Sequence, residues 1–240
     1  MQRLIYGRRQ GHRLRPERRR LLAERLPQLQ LTLPESGQLD PAALFPERRA
    51  HLWLEIGFGA GEHLAAQAAA HPEVGLIGCE PYIAGVARLL AIAERDGLDN
   101  LRLVVDDARL LLRALPDACL ERIFVLFPDP WPKTRHHKRR IVNPATVAEF
   151  ARLLTAGGEL RLATDDMGYA RAMLLALLPR AELVWLAERP ADWRHRPADW
   201  PATRYEKKAR AAGRAAVYLR CRRSAGAGPT GVTAGDVKSP

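Results

Sequence analysis

The stretch Glu55-Ile56-Gly57-Phe58-Gly59-Ala60-Gly61-Glu62 decides how the rest of the chain is read. It closes the apolar run at 51–56 and opens an alanine-rich segment, 62–71, with helical spacing. Three glycines at alternate positions let the backbone turn tightly and let a ligand approach the main chain. Strand, glycine turn and helix form half of a βα unit, and the same alternation continues downstream. Strand-like apolar runs at 74–79, 101–105, 123–127, 159–163, 183–186 and 215–221 alternate with helical patterns at 83–95, 109–115, 144–154 and 169–178. Pro144 suits the first turn of the 144–154 helix, and Gly157-Gly158 is read as its stop. The pattern predicts an α/β fold, a mostly parallel seven-stranded sheet with helices on both faces. Ligands of such sheets sit at the carboxyl ends of the strands, where the strand order reverses.

Composition narrows the setting. With 240 residues and 47% hydrophobic residues the chain can bury a core without staples. Cys79, Cys119 and Cys221 form no CxxC pair, which argues against a disulfide framework or a cysteine zinc site and for a reducing, cytoplasmic location. No apolar run approaches the roughly 18 residues of a membrane span, and no secretory signal opens the chain. The net charge of +11 is uneven. Residues 1–25 carry nine arginines and two glutamates, 133–140 five cations and no acid, and 189–223 eleven cations and three acids. An otherwise acidic body with three basic stretches predicts a polyanionic partner. Residues 1–47 read as a mobile basic arm followed by a linker with Pro27, Pro34, Pro41 and Pro46. Residues 48–223 read as the α/β domain and 224–240 as a disordered tail.

The acids around the glycine loop suggest which ligand it takes. Glu80 ends the second strand 19 residues beyond Gly61, where dinucleotide and adenosyl sites place a carboxylate on ribose hydroxyls. Glu55 stands immediately before the loop, where it would crowd a pyrophosphate but could receive an ammonium group. Asp106-Asp107, just past the third strand, could reach an adenine amino group; for Asp107 the plain alternative is a helix N-cap. Gly57, Gly59 and Gly61 lack the G-x-G-x-x-G spacing of phosphate-cradling loops. S-adenosylmethionine, cationic and free of phosphate, fits these carboxylates better than a nicotinamide cofactor.

The fourth strand runs into Phe127-Pro128-Asp129-Pro130-Trp131-Pro132-Lys133. Prolines on both sides of Asp129 make a stiff turn that presents its carboxylate. Trp131 offers a stacking face worth roughly 1–3 kcal/mol to a base, and the stripe from Lys133 to Arg140 is suited to phosphates.

Taken together, the glycine loop, Gly78-Cys79-Glu80, the Asp129 loop and its continuation to Ile141, Ala163-Thr164-Asp165 and Thr203-Arg204-Tyr205-Glu206-Lys207-Lys208-Ala209 strongly resemble the bacterial tRNA (guanine-N7-)-methyltransferase family. Arg8-Arg9-Gln10-Gly11 is similar to its basic N-terminal motif, and the likeness covers about residues 5–222. One departure is Asp166-Met167, where the family often carries an aromatic residue and an acid. The resemblance implies a Rossmann-like class I S-adenosylmethionine-dependent methyltransferase, acting on a tRNA variable-loop guanosine, with no metal and no obligate protein partner. It implies that Glu55, Gly57, Gly59, Gly61, Glu80, Asp107 and Asp129 bind the cofactor, that Asp129 is catalytic, and that Lys133, Asp165, Thr203, Arg204, Tyr205 and Glu206 contact the target nucleotide. Guanine N7 already has a free lone pair, so alignment is the main task, and positioning can supply on the order of 7–11 kcal/mol. Asp129 could stabilise the cationic product or grip the guanine N1 and N2 edge; the residues leave both open. An amino-group methyltransferase is the first rival, but Trp131 interrupts its Asn/Asp-Pro-Pro-aromatic motif. A non-catalytic RNA-binding module is the second.

Overall fold

The computed structural model describes residues 6, 9–11, 13–47, 49–201 and 204–225. Two N-terminal helices, α1 (Pro16–Glu24) and α2 (Leu26–Leu29), precede β1 (His51–Ile56), α3 (Glu62–Ala70), β2 (Val74–Cys79), α4 (Ile83–Asp96), β3 (Leu101–Val104) and α5 (Ala108–Ala114). Then follow β4 (Leu120–Leu126), α6 (Pro144–Leu153), β5 (Leu154–Thr164), α7 (Met167–Leu177), β6 (Leu183–Trp185), α8 (Ala191–Arg194), α9 (Arg204–Ala211) and β7 (Val217–Arg223). The strands form one sheet in the order β3-β2-β1-β4-β5-β7-β6. Neighbours from β3 to β5 are parallel, while β7 runs antiparallel to both β5 and β6. The chain leaves β1 toward β3, then returns to place β4 on the other side of β1. That reversal opens a crevice between the carboxyl ends of β1 and β4.

Strand alternation divides the core between the two faces. Leu52, Leu54, Ile56, Ile123, Val125, Leu160 and Leu162 pack with residues of α5, α6 and α7. Trp53, Leu76, Phe124, Ala163 and Tyr218 pack with residues of α1, α3 and α4. The expected sheet with helices on both faces is therefore present, in the Rossmann-like form.

Three local readings change. Residues 16–24 are a helix rather than part of a mobile arm: Pro16 starts it, Leu21 is fully buried, and Arg20 pairs with Glu94 of α4 at 2.9 Å. The proline-spaced stretch after it does not hang free. Leu31 N–H bonds to Leu103 O (2.8 Å), Leu39 N–H to Ala114 O (2.7 Å), and Leu44 and Phe45 are buried. Gly157-Gly158 does not stop α6, which ends where Leu154 turns extended; both glycines lie within β5. Gly157, at φ +80°, sits where the β4–β5 pairing slips its register. At the other end of α6, Asn143 and Thr146 form a reciprocal capping box around Pro144.

Candidate active site

A cleft of about 330 Å³ opens at the carboxyl ends of β1 to β4. Gly57 and Gly59, Glu80, Asp106 and Asp107, and Phe127, Asp129 and Trp131 line it. Gly57 (φ +73°) has open space where a side chain would be, which leaves main chain exposed to a ligand. Gly61 (φ +80°) works differently: it caps α3, lies outside the cleft lining, and a Cβ there would lie 2.6 Å from Leu89 Cβ. One glycine that the motif reading passed over, Gly85 of α4, supports the loop from below, since a Cβ there would lie 2.0 Å from Gly59 O. Its signal was available in the sequence, because glycine inside a helix costs roughly 0.5–1 kcal/mol and so marks a close approach.

Glu80 is fixed by two main-chain donors, Gly59 N–H at 2.8 Å and Tyr82 N–H at 2.9 Å. Burial raises its pKa above the ordinary carboxylate value; the two N–H groups oppose the rise, and the charges of Asp129 and Glu55 add to it. Asp107 is the N-cap of α5 and accepts from Arg109 N–H (3.0 Å) and the Arg109 guanidinium (3.2 Å). It performs its capping role while lining the cleft, beside Asp106, whose Oδ1 accepts from Asp107 N–H. Glu55 sits deeper, only 3% exposed, with Oε2 2.7 Å from His63 Nδ1. It borders a small cavity of about 20 Å³ whose other walls include Gly57, Leu126 and Phe127, residues shared with the main cleft.

The Asp129 loop is held in an unusual backbone. Phe127 (φ +51°) and Trp131 (φ +45°) occupy the left-handed region, which costs bulky residues on the order of 1–3 kcal/mol each and persists only where surroundings enforce it. Phe127 N–H is anchored to Ala163 O at 2.8 Å. Arg140 donates to Pro130 O at 2.8 Å and stacks over Tyr169 at 4.8 Å. Arg139 covers both Trp131 and Tyr6, at 4.9 and 5.3 Å from the ring centroids. The stripe 133–140 is thus split: Arg140 is buried and structural, whereas Lys133, Arg135 and Lys138 are exposed.

The remaining candidates lie around the rim. Lys133 caps the short 3-10 turn Thr134–Arg139 and lies outside the cleft lining. Asp165, at the end of β5, pairs with Arg214 at 2.7 Å. Glu206 is 3% exposed, and its Oε2 lies 3.2 Å from Arg196 Nε. Thr203 and the side chains of Arg204 and Tyr205 lie outside the described residues. The basic N-terminal motif meets the cleft: Ile83 N–H bonds to Arg9 O (3.0 Å), Gly11 abuts Tyr82, and Tyr6 lines the cleft wall. Among the described residues no His, Cys, Asp or Glu cluster is placed to hold a metal ion, and all three cysteines are free thiols.

Known proteins share this chain's sequence and its fold. Residues 49–219 match the family described as "Putative methyltransferase". The tRNA (guanine-N(7)-)-methyltransferase of Rhodospirillum rubrum is 55% identical over 96% of this chain and 91% of its own length. The enzyme of the same name from Zymomonas mobilis is 46% identical over 92% and 94%. Among solved structures, an rRNA methylase from Streptococcus thermophilus superposes with a TM-score of 0.50 at 11% identity, covering 73% of this chain and 88% of its own, a likeness of fold alone. Identity of this extent, over a sheet whose strand ends carry the acidic cleft and the Asp129 loop, settles the kinship: this chain belongs to the tRNA (guanine-N(7)-)-methyltransferase family.

Proposed function

We propose that the protein transfers a methyl group from S-adenosyl-L-methionine to N7 of a guanosine in tRNA, with the variable-loop guanosine as target. The observation that carries the site reading is the meeting of Asp129, on its strained prolyl loop, with the acid-lined cleft. The donor set suits that cofactor: carboxylates match its cationic amino-acid end and its ribose hydroxyls, and Gly57 leaves room beside the main chain. Glu55 would take the ammonium group, Glu80 the ribose hydroxyls through its remaining lone pairs, and Asp106 and Asp107 the adenine edge. When bound, S-adenosylmethionine supplies an electrophilic methyl group.

The rest falls to the protein's own side chains. Guanine N7 needs no base, so the loop's task is to align it. Asp129 would either offset the positive charge growing on the purine or hold the base edge. Trp131 offers a stacking face, while Lys133, Arg135 and Lys138 are free to meet phosphates. Asp165, with Thr203 to Glu206, would border the nucleotide. No helix among the described residues is long and apolar enough to cross a membrane; we place the enzyme in the cytoplasm with its tRNA, acting without an obligate protein partner. Calorimetry paired with turnover tests this reading. Asp129→Asn should keep cofactor binding within about threefold yet lose most of kcat, and full turnover by that variant would refute the assignment.

A further inference from the structure

We propose that Gln67 and His63 are positioning residues that keep Glu55 a bare carboxylate for the cofactor's ammonium group. The inference rests on the reading of Glu55 given above and extends it to two residues of α3. Glu55, His63 and Gln67 are 3%, 2% and 3% exposed, so their hydrogen bonds are made within the protein rather than with bulk water. The Phe124 ring closes one side of the imidazole in an edge-to-face contact at 4.8 Å.

Gln67 Nε2 lies 3.2 Å from Asp199 O, a carbonyl that can only accept. The amide is therefore oriented with its NH₂ group there, because the flipped amide would set two acceptors against each other. The same NH₂ lies 3.5 Å from His63 Nε2. A donor there, at the outer limit of hydrogen-bond distance, favours a lone pair on His63 Nε2, since an N–H would face another donor. In that arrangement the ring hydrogen sits on Nδ1 and is donated to Glu55 Oε2 at 2.7 Å. Spacing explains why α3 can do this, as positions 63 and 67 are one turn apart on a single helix face.

Charge gives the arrangement its consequence. A neutral Nδ1–H donor orients the Glu55 carboxylate and leaves its full negative charge. A doubly protonated imidazolium would cancel that charge, and the opposite tautomer would set a lone pair against the carboxylate. The anchor itself is tied into the fold. Asp199 is gripped by Arg161 at 2.6 Å, and the next residue, Trp200, is buried against Phe124 and Tyr218. Since Asp199 and Trp200 lie just before the segment 203–206, the relay ties the cofactor's amino-acid end to the base of the region assigned to the target nucleotide.

Two readouts test this. In ¹⁵N-histidine-labelled wild-type protein, with the His63 signal assigned by its loss in His63→Asn, long-range proton–nitrogen spectra at pH 7.5 should show the Nδ1–H tautomer. An Nε2–H or doubly protonated ring overturns the proposal without any need for a variant at position 67. Calorimetry then compares S-adenosylmethionine with 5′-methylthioadenosine, which lacks the amino-acid part. Gln67→Met should weaken the first by about tenfold, the size of one charge-assisted hydrogen bond, and leave the second unchanged. Glu55→Gln serves as the control on the underlying reading. If it leaves S-adenosylmethionine affinity intact, the assignment of Glu55 fails. If it weakens binding while Gln67→Met changes neither affinity nor tautomer, or weakens both ligands alike, the relay fails and the Glu55 assignment stands.

Discussion

Replacing Gly85 by alanine tests how the cofactor loop is supported. The added Cβ would sit 2.0 Å from Gly59 O and 3.0 Å from Gly59 C. Ordinary carbon–oxygen contacts are roughly 3.3–3.6 Å, so helix and loop must separate by well over 1 Å. The listener to that shift is Glu80, whose Oε2 accepts from Gly59 N–H at 2.8 Å and whose Oε1 accepts from Tyr82 N–H on the α4 side. One carboxylate thus bridges the two parts being pushed apart, and one of its bonds must lengthen. Overpacking costs about 1–3 kcal/mol, while alanine in place of glycine inside a helix returns up to about 1 kcal/mol. A net loss of about 1–2 kcal/mol in urea unfolding is expected. Binding should suffer more than folding, because Gly59 and Glu80 both line the cleft, and a loosened charged hydrogen bond of about 1.5–3 kcal/mol means S-adenosylmethionine affinity falls at least tenfold. Unchanged or higher stability together with unchanged cofactor affinity would refute the view that Gly85 braces the loop.

Three further outcomes follow from other parts of the molecule. Trp200→Ala empties a buried site between Phe124 and Tyr218 and should cost about 3–5 kcal/mol in denaturant unfolding; a loss under 1 kcal/mol would contradict its place in the core. Burial would raise the Glu159 pKa, but its hydrogen bond from Arg222 and the charges of Arg161 and Arg220 prevail and pull it from 4.5 down to about 2. Its contribution to stability is therefore present above pH 4.5 and is lost as the pH falls from there toward 2, so Glu159→Gln should flatten the acid limb of a stability–pH curve. Exposed Arg135 and Lys138, changed together to alanine, should lower the slope of log affinity for tRNA against log salt by about 1–2; an unchanged slope would take them off the phosphate path.

Much of this architecture was legible because the buried strands are continuous apolar runs and each carboxyl end carries its chemistry within a few residues. Gly57, Glu80 and Asp129 fall on one cleft for that reason. What stayed hidden depended on partners distant in sequence. Helix α1 carries Arg18, Arg19 and Arg20 in succession, and the burial of Leu21, with Leu22 packed beside it and Arg20 against Glu94, reveals that it packs. The motif around Glu206 does not show that Arg196, ten residues upstream, lies beside its carboxylate. Gly157-Gly158 carries a helix-stop signature, but Leu154 had already turned extended. Gln67 gave no signal at all, since its meaning lies in a carbonyl 132 residues away.

Incubating the protein with methyl-labelled S-adenosylmethionine and tRNA lacking N7-methylguanosine, then locating the label by nucleoside analysis, decides which atom receives the methyl group. The wild-type chain should place label in N7-methylguanosine, and Asp129→Asn almost none. Label in an exocyclic amino group, or undiminished label with Asp129→Asn, would contradict the proposed function.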